Sequence, residues 1–139
     1  MTLPTMNYWV VLLAAASSFV LGGAWYSPLL FGKIWGRAAG VDMAGRSVTG
    51  DKAGHPAKVF GFSFVFALIS AFAFAFLLGP NPGMMNALPL GLTIGIGFVA
   101  ASFGINYQFA NRSFKLWLVD GGYHIVQFAI YGLIFGWLG

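Results

Sequence analysis

The side chains best equipped for chemistry lie in the last apolar stretch of the chain, which is interrupted by Asp120, Tyr123, His124, Gln127 and Tyr131. Their spacing, i, i+3, i+4, i+7 and i+11, gathers all five on one face of an α-helix. A carboxylate one turn from an imidazole can hold the ring in one tautomer or stabilise its charged form, and that pairing suits a proton acceptor or a metal ligand. An ionisable group inside an apolar span is a functional-site hypothesis by default. His124 is the nearest candidate partner for Asp120. Asn106 and Tyr107, with Ser102 and Gln108, come from the preceding apolar run, and Ser63 from an earlier one, to similar depth. The plainer reading is a structural polar network. Asp120 lies only about 7.5 Å of helix past Lys115, within reach of headgroup water or of Lys58, Arg112 or Lys115.

Other chemistries lack their parts. Cysteine is absent, and the two histidines share no helix face, since His55 lies in a polar stretch far from His124; no metal site and no cofactor is assigned. No serine or threonine has an adjacent base and no glycine-rich phosphate loop follows a strand, so no catalytic residue is named. A proton-coupled transporter needs ionisable groups along a path, yet the half of the spans away from Asp120 has none. A small four-helix multidrug exporter needs a carboxylate in its first span, and this chain has none there.

These residues must be positioned by membrane-spanning helices. The sequence is 59% hydrophobic and 7% charged, too few charges to cover a water-soluble surface, so lipid is its expected solvent. Four uncharged or nearly uncharged runs, about 4–26, 57–79, 86–109 and 115–138, are each long enough to cross a bilayer, for which about 20 residues suffice. The N-terminus lacks the positive region of a signal peptide, so the first run reads as a retained span. The phenylalanines alternating from Phe60 to Phe76 have the period of a barrel strand, but such strands are about 10 residues long and alternate with polar positions. The expected fold is all-α: a four-transmembrane-helix bundle forming a single membrane domain over residues 1–139, with one long loop at about 27–56.

All 7 Lys and Arg residues fall in or beside the first and third connections, none in the second connection or the tails. Positive-inside places the long loop in the cytoplasm and both termini on the non-cytoplasmic side, most simply of a bacterial inner membrane. Nucleic-acid binding would need those cations clustered on one folded face.

Small residues recur every four positions as Ala14, Ser18 and Gly22, as Gly91 and Gly95, and as Gly132 and Gly136. In lipid such stripes let backbones approach, within the chain or between copies; glycine and alanine are also simply common there. Trp25, Tyr26, Lys33, Trp35, Arg37, Arg112, Lys115 and Trp117 fall where interfacial anchors are expected, and Leu29 to Arg37 reads as a short amphipathic helix lying in the interface.

Gly23-Ala24-Trp25-Tyr26 followed by Phe31-Gly32-Lys33-Ile34-Trp35 parallels Gly104-Ile105-Asn106-Tyr107 followed by Ser113-Phe114-Lys115-Leu116-Trp117. A parallel repeat and coincidence both account for this. The stretch from Gly22 through Tyr26-Ser27-Pro28 to Trp35, together with Asp120-Gly121-Gly122-Tyr123-His124 after Arg112-Ser113, resembles the bacterial membrane family catalogued as domain of unknown function 1761. The resemblance implies a four-helix membrane domain of the same layout and brings no activity.

The functional expectation is therefore a non-enzymatic multi-pass membrane protein. It would be either an accessory subunit of a larger membrane complex or a homo-oligomer with a polar vestibule open to the cytoplasm. A small transporter or channel formed by oligomerisation is the alternative, and an intramembrane enzyme using Asp120 and His124 a third.

Overall fold

A computed structural model describes residues 6–40 and 56–139. Residues 41–55 of the long loop, with Asp42, Arg46, Asp51, Lys52 and His55, and the expected start of the first span lie outside the described residues. Six α-helices and one wider helical stretch follow in order: α1 (Tyr8–Trp25), α2 (Gly32–Ala39), α3 (Pro56–Leu78), α4 (Met84–Leu92), a π-helical stretch (Thr93–Ala100), α5 (Ala101–Phe109) and α6 (Phe114–Leu138). Four of the resulting rods, with α4 to α5 counting as one, are long and apolar enough to cross a membrane. In hydrocarbon every backbone polar group needs an internal partner, and a helix supplies it locally.

Helix ends follow local chemistry. Asn7 accepts from the Val10 amide at 3.4 Å and Ser113 from the Leu116 amide at 3.1 Å, each capping an orphan donor. The turn after α3 takes left-handed backbone at Gly79, Asn81 and Gly83, conformations that glycine and asparagine tolerate. The third span begins at Met84 rather than at Asn86. Nor is it uniformly α-helical: the Ala101 amide reaches back five residues to the Ile96 carbonyl, and the Thr93 hydroxyl donates to the Pro89 carbonyl at 2.8 Å.

The amphipathic helix after α1 starts at Gly32, later than the pattern Leu29 to Arg37 suggested, because the chain first reverses tightly at Pro28. The Gly32 amide donates to the Ser27 carbonyl at 2.9 Å. A Cβ there would collide with the Tyr26 and Ser27 backbone, so the reversal requires glycine. Lys33, Ile34 and Arg37 are exposed, and Trp35 is half-buried.

Helix α6 is the central post. It packs along α4, the π stretch and α5 on one side, against α1 on another, and touches α2 at its start. The α6 crossing with the third span is close because it is built on glycine. A Cβ at Gly91 would strike the Phe128 carbonyl, one at Gly95 would come 3.0 Å from the Ile125 Cα, and one at Gly132 would come 2.8 Å from the Leu88 Cα. Gly136 sits against Met84, and Ala14 and Ser18 are buried on α1. Helix α3 behaves differently: it packs on α1 but meets the third span mainly through α4, and α6 only slightly. The tight core of Val10, Ala14, Ala71, Phe74, Tyr131 and Phe135 consequently fills the end of the bundle away from the cations. Space remains towards the charged end, where α1 and α5 finish and α3 and α6 begin.

Candidate functional site

Each residue of the Asp120-Gly121-Gly122-Tyr123-His124 run has a distinct task at this charged end. Asp120 accepts one phenol hydrogen bond on each oxygen, from Tyr26 at 2.6 Å and from Tyr107 at 2.5 Å. The carboxylate thereby ties the end of α1 and the end of α5 to α6. Hydrogen bonds to an ionised acceptor are the stronger kind. The expected Asp120–His124 pair is not formed: residues one turn apart share a face, but phenols from two other helices reach the carboxylate first. Lys58, Arg112 and Lys115 are not its hydrogen-bond partners either; the Arg112 guanidinium donates to the Ala38 carbonyl at the end of α2, at 3.2 Å.

Gly121 and Gly122 make room for indole rings. Trp25 lies against Gly122 and donates to the Val119 carbonyl at 2.9 Å. Trp117 lies against Gly104 and Gly121 and donates to the Ala100 carbonyl at 2.8 Å. Both tryptophans, and Tyr26, thus make hydrogen bonds across helices close to the span ends. Lys33, Arg37, Arg112 and Lys115 remain exposed, and Trp35 packs edge-on against Tyr26 with ring centroids 5.6 Å apart.

Deeper in the bundle a second network starts at His124. Its Nδ1 lies 2.6 Å from Gln127 Oε1, and Gln127 Nε2 donates to the Tyr131 hydroxyl at 3.0 Å. The Ser18 hydroxyl on α1 donates to the Ala15 carbonyl at 2.7 Å. Beside this run the Tyr123 hydroxyl donates to the Ser18 carbonyl at 2.7 Å. Gln127, Tyr131 and Ser18 are buried, and burial without partners would be costly. The His124 ring stacks on Phe103 with centroids 4.9 Å apart.

Between α1, α3, the third span and α6 lies a cavity of about 710 Å³. Its walls are mostly apolar, including Phe60, Phe66, Val99 and Phe103, with Ser63, Ser70, Tyr26, Tyr123, His124 and Gln127 as polar points. No Asp, Glu, Lys or Arg is among the lining residues.

Of the polar residues singled out from sequence, Asp120, Tyr107, Tyr123, His124 and Gln127 stand at this end in two adjoining networks. Asn106 does not join them: it is exposed, turned away from α6 by its place next to Tyr107 on the helix. Ser102 and Gln108 are exposed as well. Tyr26 and Ser18 joined the site from the anchor and packing sets. Ser70 carried no signal beyond lying two turns from Ser63, a separation that keeps both on one helical face. Among the described residues no group of three or more His, Cys, Asp or Glu side chains comes together around one point.

A family model described as "Protein of unknown function (DUF1761)" matches residues 9–136. Neither a curated protein nor a solved structure matches the chain.

Proposed function

The chain belongs to the DUF1761 family, and we propose that this member is a non-enzymatic membrane protein that takes up a lipophilic small molecule in the cavity between α1, α3 and α6. The observation that carries the reading is the cavity itself. At about 710 Å³ it has the size, the apolar walls and the few polar points of a small-molecule site. Contact between α3 and the third span thins towards the charged end, so a ligand dissolved among lipid tails can enter sideways without crossing water. In this reading the cavity of a single chain takes the place of the homo-oligomer's polar vestibule expected from the polar face of α6. The one-sided distribution of Lys and Arg supports a bacterial inner-membrane protein with the charged end, and hence the nearer rim of the cavity, in the cytoplasm and both termini outside. In this reading residues 1–139 act as one membrane domain.

The test is photolabelling in nanodiscs with a hexadecyl chain that carries a diazirine. Labelling is expected on the cavity-facing peptides of α1, α3 and α6. Gly23→Phe is the blocking variant: Gly23 lines the cavity, and a Cβ there starts into open space, meeting nothing within 4 Å. The variant is expected to keep its melting temperature and to lose labelling by about tenfold, equivalent to ~1.4 kcal/mol of binding. Undiminished labelling in Gly23→Phe would overturn the proposal.

A further inference from the structure

Resting on that reading of the cavity, we infer that its ligand is a neutral lipophilic alcohol or phenol, held by donating its O–H to Nε2 of His124. The inference comes from following each proton through the network behind the histidine. The Tyr131 hydroxyl accepts from Gln127 Nε2. That orientation of the amide leaves Gln127 Oε1 facing His124 Nδ1 at 2.6 Å. An amide oxygen only accepts, so Nδ1 carries the hydrogen. In a neutral imidazole with Nδ1 protonated, Nε2 is a bare acceptor.

This acceptor faces the cavity. His124 is a lining residue, no hydrogen bond to its Nε2 occurs among the described residues, and no buried side-chain nitrogen or oxygen there is left without a partner; Nε2 must therefore open on free space. Across the cavity Ser63 and Ser70 of α3 also line it, with hydroxyls that have no partner among the described residues. In a helix such hydroxyls usually turn back onto a carbonyl of the preceding turn. A hydroxyl group suits these surroundings because it can donate to the imidazole and accept from a serine.

Depth and charge narrow the class further. His124 lies roughly 15 Å along α6 from its first residue, about half of the ~30 Å hydrocarbon thickness. A phospholipid keeps its headgroup at the surface, whereas a long-chain or polycyclic alcohol, or a phenol, can sit wholly within that layer. The lining holds no charged side chain to offset an ionic ligand, and an unpaired charge at that depth is strongly disfavoured. A ketone, ester or ether of equal size offers only acceptors and would oppose the Nε2 lone pair.

The experiment is competition against the hexadecyl diazirine in nanodiscs, comparing hexadecanol with hexadecyl methyl ether, which differ in the ability to donate. On the unmodified protein hexadecanol is expected to compete about tenfold better, the worth of one buried hydrogen bond. In His124→Phe, and more weakly in Gln127→Leu, that preference should shrink towards unity while the diazirine still labels the cavity. Equal competition by alcohol and ether on the unmodified protein overturns the inference and leaves the cavity reading standing. Absence of cavity labelling altogether overturns both.

Discussion

Asp120 is held by two phenols, and this decides what each substitution costs. In Tyr26→Phe or Tyr107→Phe one carboxylate oxygen loses its donor. Each is expected to lower stability in detergent by about 1 to 2 kcal/mol, the range for hydrogen bonds to a charged group moderated by the weaker values measured in membranes. Asp120→Asn keeps an acceptor for one phenol and strands the other, so Tyr26→Phe should cost less in that background. A double-mutant cycle on thermal unfolding is expected to show coupling between positions 26 and 120, and between 107 and 120. It should show little between 120 and 124, whose side chains make their hydrogen bonds elsewhere. Strong 120–124 coupling with none at 26–120 would restore the carboxylate–imidazole pair suggested by helical spacing.

At the scale of the helix, glycines divide into those that permit a crossing and those that permit nothing in particular. At Gly91 and Gly132 an added Cβ meets backbone of the partner helix, which cannot yield without separating the rods. Gly91→Ala and Gly132→Ala are expected to destabilise by about 1 to 3 kcal/mol, the usual cost of overpacking. At Gly97 and Gly61, also within spans, an added Cβ meets nothing within 4 Å. Alanine there should be neutral or stabilising by up to about 1 kcal/mol, because it restricts the unfolded chain. Melting temperatures of the four variants in one detergent check this, and a uniform response would remove close backbone contact as the basis of the crossing. Gly22 is intermediate: its Cβ would touch the Tyr123 hydroxyl at 3.6 Å, so alanine fits and leucine would push Tyr123 off the Ser18 carbonyl.

Across the whole molecule, the two sequence segments that parallel one another meet. Their tyrosines, Tyr26 and Tyr107, take the two oxygens of the same carboxylate, so the ends of α1 and α5 close on α6 from either side. Among the described residues the same end carries Lys33, Arg37, Lys58, Arg112 and Lys115, and the opposite end has the Gly79 to Gly83 turn, the start of α1 and the end of α6. Reporter fusions to Gly139 are expected to read the non-cytoplasmic side, and insertions near Gly45 the cytoplasm, because Lys and Arg are retained inside. The reverse pattern would place the cavity rim nearer the outer leaflet and leave its walls unchanged.

The sequence by itself determined the solvent, the number of spans and the polar face of α6. These are written in local patterns: hydropathy over about 20 residues marks a span, and lipid forces each span to satisfy its backbone as a helix. It also marked the small residues that could let helices approach. Only the tertiary structure decided which partner each side chain takes. Tyr26 and Asp120 are 94 positions apart, as are Trp25 and Val119, and no local period encodes such a meeting. The interfacial appearance of Trp25, Tyr26 and Trp117 reflected their place near span ends, whereas their inward hydrogen bonds depend on how α1 and α5 lean on α6. The cavity was illegible for the same reason. It is the space left where α3 follows α1 away from the third span, and it has no residues of its own until the helices around it are placed.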